Sequence, residues 1–354
     1  MPLHDYAGCL HVHSTASDGD VTPARIVQAA REAGLHYIVL SDHPPLPSDY
    51  GQLAGWHGDV LVALAPEVKA SGQHCLALGL DAATLATLRK PETRTARLDR
   101  LVDFRRDGGI LFVAHPKTVV KRLFHIGPPG WHDWDGDAFD GIEVWSYMHD
   151  WIRDLRLRNF LSHVRHPDRW ITGPDPEVLR HWDEVGRRHR CAGIGALDNH
   201  GRRLPFLRWG PALLEIFPHR AAFRTVRTHV LAPQPFTGRA AEDLASLHAL
   251  LEQGRCYVSY DLLADATGFT FEGEREGRAF LMGDEAPAGS PIALRARCPV
   301  EADLRLLRDG APIAETHGRE LIASAAEPGV YRIEARLEGH PWVFSNPIYL
   351  RKSA

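Results

Sequence analysis

Apolar positions along the first three quarters of the chain fall into two alternating textures. Short runs at Cys9–His13, Tyr37–Ser41, Val60–Ala65, Cys75–Leu80, Ile110–Ala114, Gly141–Trp145, Ala192–Ala196 and Cys256–Tyr260 are too brief for helices and are flanked by turn-forming residues, so they predict β-strands. Between them lie segments with helical spacing. Pro23–Ala33 has Thr22 as N-cap, Pro at its first position and Gly34 as C-cap, and Thr93–Asp107, Asp150–Ser162, Pro176–His189 and Ala240–Gln253 follow. Strands alternating with helices predict an α/β fold on a mainly parallel sheet.

The texture changes near residue 264. From there on, alternating runs such as "LRLLRDGAPIAE" and "GVYRIEARLEG" are broken by Gly, Pro and Asp-Gly turns. That pattern predicts a small antiparallel β-sandwich of immunoglobulin-like type. Two domains are therefore expected, 1–263 and 264–354.

Composition narrows the function classes. With 44% hydrophobic and 24% charged residues the chain is ordinary for a globular protein, and a formal charge of −4 gives no general attraction to nucleic acid or anionic membranes. No apolar run reaches the length of a membrane span, and a first strand within ten residues of the start leaves no room for a signal peptide. The five cysteines (Cys9, Cys75, Cys191, Cys256, Cys298) are scattered without a C-x-x-C, against both a disulfide framework and a thiolate zinc site. A cytoplasmic protein with a small-molecule substrate is expected, and a homo-oligomer is compatible with all of this.

Histidine changes the picture. With 21 in the chain, one His-x-His pair means little, but His11 and His13 end the first strand, where alternation would point both from one face. Asp18 follows in the next turn, Asp42 and His43 end the second strand, and Glu67 with His74, His115, and Asp198 with His200 end later ones. In β/α barrels that end of the strands carries the active site. Nine imidazoles and carboxylates in one cavity would be costly without cations. Imidazole with carboxylate and no thiolate suits Zn, Mn or Fe, and nine donors suffice for two or three ions sharing a carboxylate.

The motifs "HVHSTASDG", "SDH", "PEV" with "HCLALG", "AHP" and "LDNH", in this order, resemble the PHP family, named for polymerase and histidinol phosphatase. The resemblance covers about residues 7–260 and implies a distorted (β/α)₇ TIM-like barrel with a trinuclear centre. It implies one metal on His11, His13, Glu67 and Asp198, a second sharing Glu67 with His74 and His115, and a third on Asp18, His43 and His200. "ALDNH" stands where Ser-Asp-x-His is commoner, which keeps both ligands. "MGDE" and "FSNPIY" resemble a β-sandwich extension of a carbaryl-hydrolase-like branch.

The activity expected is hydrolysis of a small phosphomonoester or phosphodiester by metal-activated water, with Glu67 and Asp198 as catalytic carboxylates. The alternatives are a carbamate, ester or amide hydrolase on the same metals and a non-catalytic PHP module. Lys117 is expected to meet a substrate anion as a point charge. Glu143 and His149 are expected to orient ligands, Asp42 and Asn199 to support the pocket, and the loop carrying Trp131 and Trp134 is a candidate lid.

Overall fold

A computed structural model describes residues 3–70, 73–80, 84–85, 104–105, 108–118, 130–136, 139–209 and 212–352. The first part is a mixed α/β unit. Its strands are β1 (His4–Val12), β2 (Tyr37–Leu40), β3 (Gly55–His57), β4 (Val60–Leu64), β5 (Glu67–Ala70), β6 (Gln73–Leu78), β7 (Ile110–Val113), β8 (Gly141–Ser146) and β9 (Ala192–Asn199). A two-stranded hairpin, β10 (Arg203–Trp209) and β11 (Ala212–Glu215), precedes β12 (Val226–Ala232) and β13 (Cys256–Tyr260).

Six strands run parallel in the order β4-β2-β1-β9-β8-β7. Their continuous apolar runs, such as Tyr37–Leu40 with every residue buried, suit strands covered on both faces. Beyond β7 the direction reverses at β6 and again at β5, the latter because the short β5–β6 link permits only an antiparallel hairpin. The Ala77 amide donates to the Pro66 carbonyl, extending the β5–β6 pairing back to the end of β4. The mainly parallel expectation thus holds for six strands, while β3, β5, β6, β12 and β13 pair only antiparallel.

The helices follow their sequence signals with two corrections. Helix Pro23–Glu32 buries Ile26 and Ala30 one turn apart and ends at Gly34, whose φ of 71° lets the Leu35 amide return to the Ala30 carbonyl. Thr22 precedes it in extended geometry, but its side chain makes no cap hydrogen bond. Helix Pro176–Arg188 does have a working cap, as Asp175 accepts from the Glu177 amide at 2.9 Å. The expected helix 150–162 is broken into Tyr147–Arg153 and Phe160–Arg165, and the one expected at 93–107 lies almost wholly outside the described residues.

The last quarter is β-structure: β14 (Thr270–Arg275), β15 (Arg278–Leu281), β16 (Glu285–Pro287), β17 (Ile292–Arg308), β18 (Ala311–Ala325), β19 (Gly329–Leu337), β20 (His340–Ser345) and β21 (Ile348–Arg351). All pairings within it are antiparallel except β16 with β21. Alternate residues of β17 bury Ile292, Leu294 and Ala296 against Phe271, Phe280 and Trp342. This part is tied to the first. β13 pairs with β20, the buried Arg332 guanidinium grips Asp183 through two bonds of 2.8 and 2.9 Å, and Asn346 hydrogen-bonds both backbone groups of Gly193.

Candidate metal centre

All nine candidates converge at one end of the parallel strands. His74 stands at the start of β6, which runs opposite to β7, so its start lies where β7 finishes; Glu67 opens β5 just after β4 ends, and the other seven stand at or after the ends of β1, β2, β7 and β9. Three of the nine, His11, His115 and Asp198, have positive φ angles of 62°, 28° and 51°. Each such residue costs on the order of 1–3 kcal/mol and persists only where the surroundings impose it, typically at functional sites. At His11 the pairing of β1 slips on both sides, so the regular pleat expected across His11 and His13 is interrupted by a bulge. The two rings still face one space, with centroids 5.1 Å apart.

Glu67 lies at the centre of the cluster. Its Oε2 is 3.2, 3.4 and 3.3 Å from Nε2 of His11, His13 and His43, while Oε1 is 2.8 Å from His115 Nε2 and in close contact with His74 Nδ1. Asp198 Oδ1 lies 3.5 and 3.4 Å from His11 and His13 Nε2. Asp18 Oδ1 is 3.5 Å from His13 Nδ1, and its Oδ2 is 3.3 Å from His200 Nε2. The donors fall into groups with atoms within 4.8 Å of one another: His11, His13, Glu67 and Asp198; Glu67, His74 and His115; His13, Asp18, His43 and His200; and a further one of His115, His149 and Asp198.

The surrounding hydrogen bonds select which ring nitrogen faces inward. Glu143 Oε1 binds His11 Nδ1 at 2.6 Å, its Oε2 accepts from the His115 amide at 2.7 Å, and so one carboxylate sets both. His43 and His200 place Nδ1 on the carbonyls of Glu67 and Asp198, each at 3.2 Å, which turns Nε2 into the pocket. Asp42 accepts from the Ser14 amide and from the hydroxyls of Ser14 and Ser17, pinning the turn that presents Asp18. Asn199 accepts from the Gly201 amide at 3.0 Å and shapes the turn after His200.

These distances fit cations better than hydrogen bonds. His11 Nε2, both nitrogens of His13, His74 Nε2 and His115 Nδ1 are buried without a hydrogen-bond partner, a costly arrangement unless something else binds them. Donors sharing an ion at about 2.0–2.2 Å stand roughly 3.0–3.6 Å apart, which is the spacing around His11, His13, Glu67 and Asp198. Burial opposes ionisation of Glu67 and Asp198, yet the neighbouring imidazoles hold both carboxyls well below the usual range. Burial likewise opposes charge on His13, but Asp198 and Glu67 raise it to about 9. The carboxylates thus draw in positive charge, which bound cations would supply in place of protons.

Lys117 shares the lining of a small pocket with His115, Glu143 and His149, and its ammonium is held by the Glu177 carboxylate of helix Pro176–Arg188, both nearly half exposed. Trp131 is buried edge-on against Phe139, and Trp134 stacks on His181 at 4.3 Å, so both tryptophans pack on the protein itself. His149, expected to act only on ligands, brings Nε2 to 3.1 Å from Asp198 Oδ2. The residues absent from the sequence reading are Ser14, Ser17, Arg202 and His219. Arg202 Nη2 lies 3.3 Å from Asp18 Oδ2, and the buried His219 ring packs against Gly201, where a Cβ would meet it at 2.8 Å.

No protein-family model and no curated protein matches the chain. Among solved structures it is similar to a two-domain Bacteroides vulgatus protein containing a predicted PHP-like metal-dependent phosphoesterase, at 14% identity over 98% of this chain and 95% of that one, with a TM-score of 0.44. It is also similar to a Bifidobacterium adolescentis protein provisionally named a metal-dependent phosphoesterase, at 17% identity over 58% and 92% of the two chains and a TM-score of 0.36. A third similarity is to a Chromobacterium violaceum amidohydrolase with bound sulfate and no metal, at 18% identity over 55% and 87% and a TM-score of 0.33.

Proposed function

We propose that the protein is a PHP-type metal-dependent hydrolase, a phosphoesterase acting on a small phosphomonoester or phosphodiester with two or three Zn, Mn or Fe ions. The observation that carries this reading is the double engagement of Glu67, whose oxygens face His11, His13 and His43 on one side and His74 and His115 on the other. Such a carboxylate suits a bridge between ions. Bound cations would lower the pKa of water and neutralise charge developing on a phosphoryl oxygen. The chain's own part is positional: Glu67 and Asp198 hold negative charge between the groups, and Glu143 fixes His11 and His115. Cys75 is excluded as a nucleophile, because burial beside Glu67 and Glu143 keeps its thiol protonated.

The rival reading, carbamate, ester or amide hydrolysis, needs an apolar slot at the metals. A cavity of about 500 Å³ is lined by Tyr147, Trp151, Phe217 and Leu262, but by none of the nine candidate ligands. That favours phosphoesters. The test is a panel of p-nitrophenyl phosphate, bis(p-nitrophenyl) phosphate and p-nitrophenyl acetate with added Mn²⁺ or Zn²⁺. Turnover of a phosphoester, lost on chelation and restored by metal, is expected; turnover of the acetate alone contradicts the proposal.

A further inference from the structure

The candidate ligands are unevenly exposed, and the gradient gives a direction of approach. Side chains of His11 and His13 are fully buried and Glu67 is 2% exposed, whereas His200, His43 and Asp18 are 14%, 26% and 42% exposed. Solvent, and anything dissolved in it, meets the cluster along the Asp18–His43–His200 edge.

At that edge stands Arg202, at the start of the β10–β11 hairpin and 49% exposed. Among the described residues it is the one Lys or Arg that ion-pairs with a candidate ligand. Its Nη2 lies 3.3 Å from Asp18 Oδ2, the same oxygen that is 3.3 Å from His200 Nε2. Its Nη1 lies 3.8 Å from Asp20 Oδ1, and Asp20 Oδ2 accepts from the Arg203 amide at 2.8 Å. Asp20 therefore anchors the backbone and one edge of the guanidinium, while the other edge borders the cluster. A cation taken up at Asp18 would compete for that oxygen and free the Nη2 edge, with its anchor kept.

We infer that Arg202 and the Asp18–His43–His200 edge form the subsite that receives the anionic oxygens of a phosphoryl group, with Arg202 as the specificity-determining cation. A guanidinium fork matches phosphate geometry and stays charged at any working pH. Lys117 ion-pairs with Glu177 and not with a candidate ligand, so it does not border this edge as Arg202 does. The inference rests on the phosphoesterase reading and names the residue that makes it selective for anions.

The test uses the full chain loaded with Mn²⁺, comparing wild type, Arg202→Ala and Arg202→Lys. Calorimetry reads the Kd of inorganic phosphate, elemental analysis reads metal per chain, and p-nitrophenyl phosphate kinetics read KM against kcat. Arg202→Ala is expected to weaken phosphate binding and raise KM about tenfold or more at unchanged metal content, and Arg202→Lys to recover part of both. A phosphate Kd within twofold of wild type overturns the inference, as does a parallel loss of metal, which would make Arg202 a mere support for Asp18. If wild type hydrolyses no phosphoester, the proposed function fails, while the calorimetric arm still decides the role of Arg202.

Discussion

The strand β1 carries a buried histidine–carboxylate cluster at each end, and the two are built on opposite principles. At its start, His229 of β12 lies between Asp5 and Asp261, with Nδ1 2.8 Å from one carboxylate and Nε2 3.3 Å from the other. Tyr257 and the Gly268 amide donate to Asp5, and Arg227 pairs with Asp261 at 3.1 Å. Every polar atom of the imidazole has a partner. At the other end, buried nitrogens of His11, His13, His74 and His115 have none, and three backbones are held at positive φ. The imidazole of the first cluster is satisfied by protein carboxylates on both nitrogens; His11 Nε2 and both nitrogens of His13 are left for cations. The lesson is that a buried histidine is read by the saturation of its nitrogens together with the company of carboxylates: His219, with both nitrogens unpartnered, joins no group of candidate ligands.

Exchanging the two clusters' fates would break this comparison. The largest expected effect is at the metal end: His11→Ala or Asp198→Ala should lose bound metal and cut turnover by at least about 10²–10³-fold, with circular dichroism and the melting transition largely preserved. At the start of β1, His229→Ala should leave metal content intact but destabilise the fold by about 3–5 kcal/mol in urea unfolding, since Asp5 and Asp261 would stay buried without their shared cation. Full metal loss in this variant, or none in the first two, would erase the distinction.

Acidity sharpens it further. Burial opposes the charge of His229, but Asp261 and Asp5 raise its pKa to about 9 from an ordinary 6.5. A raised folded pKa stabilises fully below the unfolded value, so this contribution is present below about pH 6.5 and lost as pH climbs through 9. Melting temperatures of wild type should fall across that window relative to His229→Gln; parallel curves would refute the assignment. A smaller effect is expected for Glu143→Gln, about 10–100-fold weaker metal affinity by competition with a chelating dye, because His11 and His115 lose their common guide. The smallest is Lys117→Ala, whose exposed pair with Glu177 should be worth no more than about 1 kcal/mol of stability by urea unfolding.

Most of the nine donors were legible in the sequence because they flank short apolar runs, where a charged or imidazole side chain has no ordinary reason to stand, and Asp18 because it follows His13 in a Ser-Asp-Gly turn. What it concealed depends on contacts far along the chain. Glu143 reaches His11 across 132 positions, and Lys117 meets Glu177 across 60, so neither partner could be read locally. Strand β12 was missed because "VRTHVLA" places Arg, Thr and His among its apolar residues, and that polar content is the His229 cluster itself. Backbone strain at His11, His115 and Asp198 leaves no mark in composition, since only tertiary pairing imposes it. The reversal of β6 was hidden for a similar reason, as periodicity fixes a strand but not its direction.

Elemental analysis of the purified full-length chain, dialysed against metal-free buffer, tests the central claim most directly. Two or three tightly held divalent transition-metal ions per chain are expected in wild type and in His229→Gln. Fewer than one ion per chain in wild type, after saturation with Mn²⁺ or Zn²⁺, would contradict it.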